Sequence, residues 1–331
     1  MKHNLKITII LILMFVITQF LGLFVISVYL HSGNSLPFNM QPPAEINPND
    51  PSIYISILIA FVIAIGLFFL LTKIKAEKII RTWFFIVTAL AIGLTLKALF
   101  FLGLKDTLMI NPIPYLNMII PEFSIFSVLI FFAICIPLAY IKIFKRNILV
   151  HNLTELLIYP GIAAVFIPII NIIGIIILLL LISIYDIWAV WHSEFMQKMA
   201  HYQINTLRFF TGFFIPYANK EEKNKIKLIK DKYKDKSEKF LEDKFKKAKV
   251  KINLAILGGG DIIFPIITAG IFFKYMGLIP ALIITLFATI SLLYLFVFAK
   301  KGRFYPAMPF LSSGMYIAMI LIWILSFFKV I

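Results

Sequence analysis

Long apolar runs separated by short polar stretches dominate the pattern along this chain. The runs cover residues 7–30, 52–72, 80–104, 123–141, 150–169, 172–191, 252–272, 278–299 and 308–328. A helix rises about 1.5 Å per residue, so about 20 apolar residues cross the roughly 30 Å hydrocarbon layer of a bilayer. Backbone polar groups in that layer must be paired within their own segment, which favours helices. The pattern therefore predicts an all-α, polytopic membrane protein with about nine transmembrane helices.

Composition agrees with a membrane protein. Of 331 residues, 61% are hydrophobic and 15% are charged, which leaves too little polar surface for a soluble domain. The single cysteine, Cys135, lies in an apolar run, so neither an intrachain disulfide nor a cysteine-based metal site is expected. The histidines show no spacing typical of metal ligands, and we predict no metal and no cofactor.

The charge of +16 is distributed in a way that predicts topology. Basic residues concentrate in segments 73–81, 142–146, about 220–251 and 300–303, and the loops between these segments hold few. Because basic loops stay in the cytoplasm, nine helices would place the N-terminus inside and the C-terminus outside, in a multi-pass protein of the cell (plasma) membrane. The same distribution argues against nucleic acid as a partner and leaves the lipid bilayer as the expected surroundings.

The chain divides into three parts by composition. Residues 1–215 hold the first six predicted helices, ending in an amphipathic extension from Trp188 to Phe214. Residues 216–251 form a cytoplasmic Lys-rich loop, and residues 252–331 hold the last three helices. His151 and Glu155 stand near the start of the fifth run, where snorkelling or an interhelical ion pair is the simplest explanation.

Two acidic residues inside the predicted helices are the main candidates for chemistry. Asp186 lies late in the sixth run and Asp261 early in the seventh. Carboxylates are costly within a bilayer, and consecutive antiparallel helices bring these two to similar depth. Two carboxyl groups in a low dielectric share one proton, which suits hydrolysis: one group activates a water and the other protonates the peptide carbonyl.

The residues around the acids are unusual for helices. Gly258, Gly259 and Gly260 precede Asp261; they allow close backbone approach and weaken the helix there. Pro306 and Pro309 are expected to keep residues 306–309 out of regular helix, leaving backbone groups to which an unwound substrate could add as a strand. Tyr185 is expected to pack or form a hydrogen bond beside the site, since a buried phenol requires a partner.

Three motifs in series carry a family resemblance. They are Tyr185-Asp186 followed by Ala189-Val190, Gly258-x-Gly260-Asp261, and Pro306-Ala307-Met308-Pro309. Together, in a nine-run chain with a hydrophilic insert before the seventh run, they resemble the presenilin and signal-peptide-peptidase family of intramembrane aspartyl proteases in a compact prokaryotic form. The resemblance covers essentially the whole chain.

The resemblance implies a function. Asp186 and Asp261 would be the catalytic pair, and residues 306–308 would form a loop that receives substrate, with Met308 standing where the family usually has Leu. The remaining substrate-binding candidates are Tyr185, Gly258, Gly259, Gly260 and Pro309. The implied substrates are single-span or signal-peptide-like helices, and the orientation is similar to that of the presenilin branch.

The same residues are compatible in part with other functions. Prepilin peptidases share the Gly-x-Gly-Asp tetrapeptide but normally continue with Lys-Leu, where this chain has Ile262-Ile263. An ion-coupled transporter or channel also uses paired aspartates beside a glycine-broken helix, although no inverted repeat links the halves here. A helix-binding membrane chaperone without turnover is the third alternative. The sequence defines no oligomeric state.

Overall fold

The computed structural model describes most of the chain. The described residues are 5–31, isolated positions between 56 and 73, then 74, 76–107, 131–145, 147–192, 210–218, 220–232, 253–299 and 305–328. Seven of the described helices are long and apolar enough to cross a membrane. The predicted helical membrane architecture is therefore confirmed. The runs 52–72 and 123–141 lie partly outside the described residues, so the count of nine stays a prediction.

The elements follow one another in chain order. They are α1 Leu5–His31, α2 Glu77–Thr107, a π-helix Phe131–Cys135, α3 Ile136–Tyr140, a π-helix Ile141–Lys145, α4 Ile148–Phe166, α5 Ile172–Trp191, β1 Gly212–Tyr217, α6 Lys220–Lys232, β2 Asn253–Gly258, α7 Gly259–Met276, α8 Leu278–Phe298 and α9 Met308–Phe327.

Helix α7 lies at the centre of the bundle. It contacts α1, α4, α5, α8 and α9, and its Ile262 and Ile266 side chains are fully buried in the main apolar core. Close approach is possible because small residues face their neighbours: a Cβ on Gly270 would lie 2.4 Å from Ile167 Cδ1. The outer helices instead expose large apolar side chains such as Leu180 and Trp323, which suits contact with lipid.

A two-stranded antiparallel sheet is the feature that the apolar pattern did not predict. Its register runs from Gly212 opposite Gly258 to Tyr217 opposite Asn253. Strand β2 passes directly into α7, so the predicted start of the seventh helix at residue 252 is wrong by one strand. A six-residue apolar strand joined to a helix looks like one long apolar run, because period alone does not separate them.

The predicted amphipathic extension also needs correction at its end. Helix α5 ends at Trp191, and residues 212–214 belong to β1, whereas residues 193–209 lie outside the described part of the chain. Gly212 has φ of 137°, a conformation that L side chains rarely adopt, and Pro216 has no amide hydrogen. These two residues and the intervening aromatic and β-branched side chains favour a short strand over a helix.

Candidate active site

Asp186 projects inward from a regular helix. Helix α5 begins where the Asn171 side chain accepts a hydrogen bond from the Gly174 amide at 2.7 Å. Asp186 is 5% exposed, whereas Tyr185 beside it is 37% exposed. One turn earlier, Ser183 Oγ donates to Ser312 Oγ on α9 at 2.8 Å. Asp186 therefore faces α9 and the interior of the bundle.

The start of α9 supplies the partner of Asp186. The Met308 backbone amide donates a hydrogen bond to Asp186 Oδ2 at 3.0 Å, and the Ala307 backbone amide is a second donor toward this carboxylate. The first amides of a helix have no partner within the helix and carry partial positive charge, so they suit an acidic side chain. The start of α9, at Met308 within the segment 306–309, thus lies beside Asp186.

The two prolines of this segment behave differently. Pro306 is buried and precedes the helix, but Pro309 lies in the first turn of α9. Proline is tolerated there because the amide it lacks would be unpaired in any case. The expectation that both prolines interrupt the helix is correct for Pro306 and wrong for Pro309.

Asp261 lies in the first turn of α7, immediately after β2. The Gly258 backbone amide is a hydrogen-bond donor toward the Asp261 carboxylate, and a Cβ on Gly258 would lie 3.1 Å from Asp261 Oδ2. Pro265 cannot donate to the Asp261 carbonyl four residues earlier, which leaves the backbone there without its usual helical bond. From α1, Gln19 Nε2 donates to the neighbouring Ile262 carbonyl at 3.0 Å.

The three glycines before Asp261 are not equivalent. A Cβ on Gly259 would lie 2.9 Å from the Tyr159 hydroxyl oxygen on α4, whereas a Cβ on Gly260 would meet only Phe264 at 3.8 Å. Gly258 ends the strand and Gly259 begins the helix. The glycines therefore form a strand-to-helix junction, with close contacts at the first two positions only.

Asp186 and Asp261 lie on helices α5 and α7, which contact each other, and the electrostatic surroundings of Asp261 include Asp186. Tyr185, the remaining candidate on α5, lies against Trp188 with ring centroids 6.4 Å apart, and its electrostatic surroundings include Asp186. Among the described residues, no group of three or more His, Cys, Asp or Glu side chains is arranged to hold a metal.

Residues of α4 that border the strands were not predicted as part of the site. The Asn152 Nδ2 group donates to the Phe214 carbonyl at 3.0 Å, and the Phe214 amide donates to Asn152 Oδ1 at 3.2 Å. His151 Nε2 lies 2.8 Å from the Gly212 carbonyl oxygen. Their only sequence signal is the presence of polar side chains in an apolar run.

Glu155 forms an ion pair inside the protein, one of the two explanations that the sequence leaves open. It pairs with Lys142 of the preceding π-helix, and its Oε1 lies 3.6 Å from His151 Nε2. All three side chains are at most 5% exposed. The pair joins α4 to the preceding helical segment inside the protein, so snorkelling does not explain these charges.

Comparison with known proteins agrees with these motifs. The family described as signal-peptide peptidase, presenilin aspartyl protease matches residues 12–329. Two solved structures of a presenilin family intramembrane aspartate protease have a similar fold. One, in space group C222, has a TM-score of 0.55 and 16% identity over 95% of this chain and 97% of that chain. The other, in space group P2, has a TM-score of 0.54 and 16% identity over 94% and 95%. None of the curated proteins matches.

Proposed function

Because the chain belongs to the signal-peptide peptidase and presenilin family of aspartyl proteases, we propose that Asp186 and Asp261 are its catalytic pair. Membership makes the chain an aspartic endopeptidase and a multi-pass membrane protein. The observation that carries the proposal is the contact between α5 and α7, the two helices on which the acids lie.

The proposed reaction uses one bound water and a shared proton. The ionised carboxyl group takes a proton from the water, and the water oxygen bonds to the peptide carbonyl carbon. The protonated carboxyl group gives its proton to the carbonyl oxygen, which forms a tetrahedral intermediate with two hydroxyl groups. As the C–N bond breaks, the nitrogen takes the proton that was removed from the water, and one hydroxyl group returns its proton to the other carboxyl group as the C=O bond forms again. Because coupled acids titrate as a unit, the base is assigned to the pair.

We propose single-span or signal-peptide-like helices as the substrates. A helical backbone satisfies its own carbonyl groups, so a substrate must unwind locally before water can attack. Gly or Pro near the scissile bond lowers the cost of unwinding. We expect a Gly-containing span to be cut faster than a poly-Leu span of the same length; equal rates would contradict local unwinding as the step that selects substrates.

The outer edge of β2 is better suited to receive the unwound segment than residues 306–309 are. Pro306 and Pro309 have no amide hydrogen, and the amides between them face Asp186. The backbone N–H and C=O groups of Phe214 point away from β2. In an antiparallel pair the residue opposite then also points its N–H and C=O away from the partner strand, so those of Ile256, and of Leu254 two residues earlier, lie on the outer edge of β2. Within the described residues no backbone bond outside the sheet takes these groups, and strand addition uses such an edge.

We also propose the plasma membrane as the location, with the N-terminus on the cytoplasmic side. The support is the restriction of basic residues to alternate loops. Fusing a reporter to either end of the full chain tests it: activity of a cytoplasmic reporter at the C-terminus would contradict the proposed orientation.

Cleavage of a Gly-containing single-span peptide by the purified chain in lipid tests the catalytic pair. We expect Asp186→Asn and Asp261→Asn each to reduce the rate at least about 100-fold, because each removes one proton-transfer group. Asp231→Asn, an exposed acid on α6, is the matched control and should cut normally. Normal cleavage by both active-site variants would refute the pair. Ion flux without cleavage would favour a transporter.

A further inference from the structure

The outer edge of β1 is occupied at successive positions by side chains of α4. The side-chain amide of Asn152 forms hydrogen bonds with both the C=O and the N–H of Phe214, and the His151 ring forms one with the Gly212 carbonyl oxygen. A carbonyl oxygen only accepts, so His151 Nε2 must carry a hydrogen and donate it. Pro216, the next outward position, has no amide hydrogen to offer. Helix α4 therefore takes the place that a third strand would have.

The bidentate contact of Asn152 selects one register of β1. If β1 slipped by one residue, the backbone N–H and C=O of Phe214 would point toward β2. Asn152 would then lie opposite a residue whose own N–H and C=O point away from α4. A slip of two residues in one direction would bring Pro216 opposite Asn152, where one of the two hydrogen bonds cannot form. A slip of two residues in the other direction would bring Gly212 opposite Asn152 and take its carbonyl away from His151. The alternatives thus cost one or more hydrogen bonds between partly buried groups of α4 and β1.

The same helix is anchored rigidly behind this contact. Asn147 caps α4 by accepting from the Leu149 and Val150 amides at 3.0 and 3.2 Å. One turn beyond His151, Glu155 forms the buried pair with Lys142. Buried pairs contribute little net stability but are expensive to separate, so they hold two elements in one arrangement.

A short series of contacts connects α4 to the backbone around Asp261. Gly212 lies opposite Gly258, and the Gly258 amide acts on the Asp261 carboxylate. Tyr159, two turns beyond Asn152, packs against Gly259. Any shift of β1 along α4 would therefore disturb β2 and, with it, the backbone that leads directly into Asp261.

We propose that Asn152 and His151 are positioning residues that hold the strand pair, and so the backbone leading into Asp261, in one place against α4 and thereby select which substrate bond is cut. The inference rests on the proposed protease function, since it concerns the choice of bond. Neither residue touches the reacting atoms, and both act through the backbone of β1.

The test is the distribution of products from a single-span peptide, measured by mass spectrometry with the full chain in lipid. We expect Asn152→Leu, which keeps volume but removes both hydrogen bonds, to raise products from neighbouring bonds about fivefold relative to the main product. That factor corresponds to one or two neutral hydrogen bonds. His151→Leu should do the same, and His151→Gln, which retains a donor, should restore the wild-type ratio.

A second measurement does not depend on activity. Hydrogen exchange of residues 210–218 without substrate should be faster in Asn152→Leu, because the Phe214 amide loses its acceptor. Thr95→Val is the matched control: Thr95 Oγ1 donates to the Leu157 carbonyl of α4 at 2.5 Å, away from the strands. It should lower stability without changing the product ratio or the exchange of β1.

The outcomes separate the two proposals. Absence of cleavage that depends on Asp186 and Asp261 in the unsubstituted chain would overturn the protease function itself. Normal cleavage with an unchanged product ratio in both Asn152→Leu and His151→Leu, despite faster exchange in β1, would overturn the positioning role alone. If Asn152→Leu does not accumulate in the membrane, the His151→Leu and His151→Gln pair decides the question.

Discussion

Asp186 and Asp261 lie on helices in contact, yet the chain holds them by different means. Asp186 is far along the regular helix α5, and its carboxylate accepts a hydrogen bond from Met308, 122 residues away in sequence. Asp261 begins a helix directly after a strand, and the amide that acts on it belongs to Gly258. One acid is held by tertiary packing and the other by local backbone geometry.

The difference determines which changes should damage each half of the site. Around Asp261, added volume or lost strand pairing acts on the backbone that carries the acid. Around Asp186, the carboxylate keeps its hydrogen bond only if the first residues of α9 stay in position. We therefore expect larger effects from single substitutions on the Asp261 side.

Gly212→Ala should have the largest effect. At φ of 137° a side chain is strained, and a Cβ would lie 2.3 Å from the Leu257 carbonyl oxygen. We expect a loss of more than about 2 kcal/mol in the free energy of unfolding and at least a tenfold loss of cleavage. Thermal unfolding and peptide cleavage measure the two losses.

The matched control for that change is Gly260→Ala, whose Cβ meets only Phe264 at 3.8 Å. Alanine favours helix over glycine by about 1 kcal/mol, so stability should be kept or improved. A stable Gly260→Ala variant without activity would assign Gly260 to substrate passage, and the local backbone account of Asp261 would then be incomplete.

Separating Lys142 from Glu155 should have the next largest effect on cleavage, although its cost in stability is at least as large as that of Gly212→Ala. Lys142→Met or Glu155→Leu alone leaves a buried charge without its partner, at about 3–5 kcal/mol. The double variant should recover much of that loss, since both charges are gone. Unfolding of all four proteins in a double-mutant cycle measures the coupling; additive losses would mean that the pair does not anchor α4.

The counterpart on the Asp186 side is a neutral contact and should matter less. Ser312→Ala removes the hydrogen bond from Ser183 that joins α5 to α9. We expect about 1 kcal/mol of destabilisation and a loss of cleavage no greater than about fivefold. A loss comparable to that of the Lys142 variants would show that both acids depend equally on buried polar contacts.

The sequence predicted the helices and family because apolar length and intramembrane charge are strong signals. The family resemblance drawn from three motifs is confirmed by the match to residues 12–329. The family resemblance implied that residues 306–308 lie beside Asp186 despite their separation in sequence, and the Met308 amide donates to the Asp186 carboxylate.

The sheet could not be predicted from the same pattern. Residues 253–258 are apolar and continuous with α7, so their strand conformation depends on pairing with β1. The roles of the three glycines were also indistinguishable, because the contact of Gly259 with Tyr159 joins distant segments. His151 and Asn152 became significant only once β1 was seen beside α4.

Met308→Leu should have the smallest effect, although the residue lies at the active site. The group that reaches Asp186 is the Met308 backbone amide, and the side chain is buried in the core at 4% exposure. A volume-conserving change costs less than about 1.5 kcal/mol, so cleavage should stay within about threefold of wild type. Met308→Ala is the informative partner, because a cavity costing about 2–5 kcal/mol lets the start of α9 shift. If the Leu variant loses as much activity as the Ala variant, the side chain itself serves the reaction, and backbone contact no longer explains how Asp186 is held.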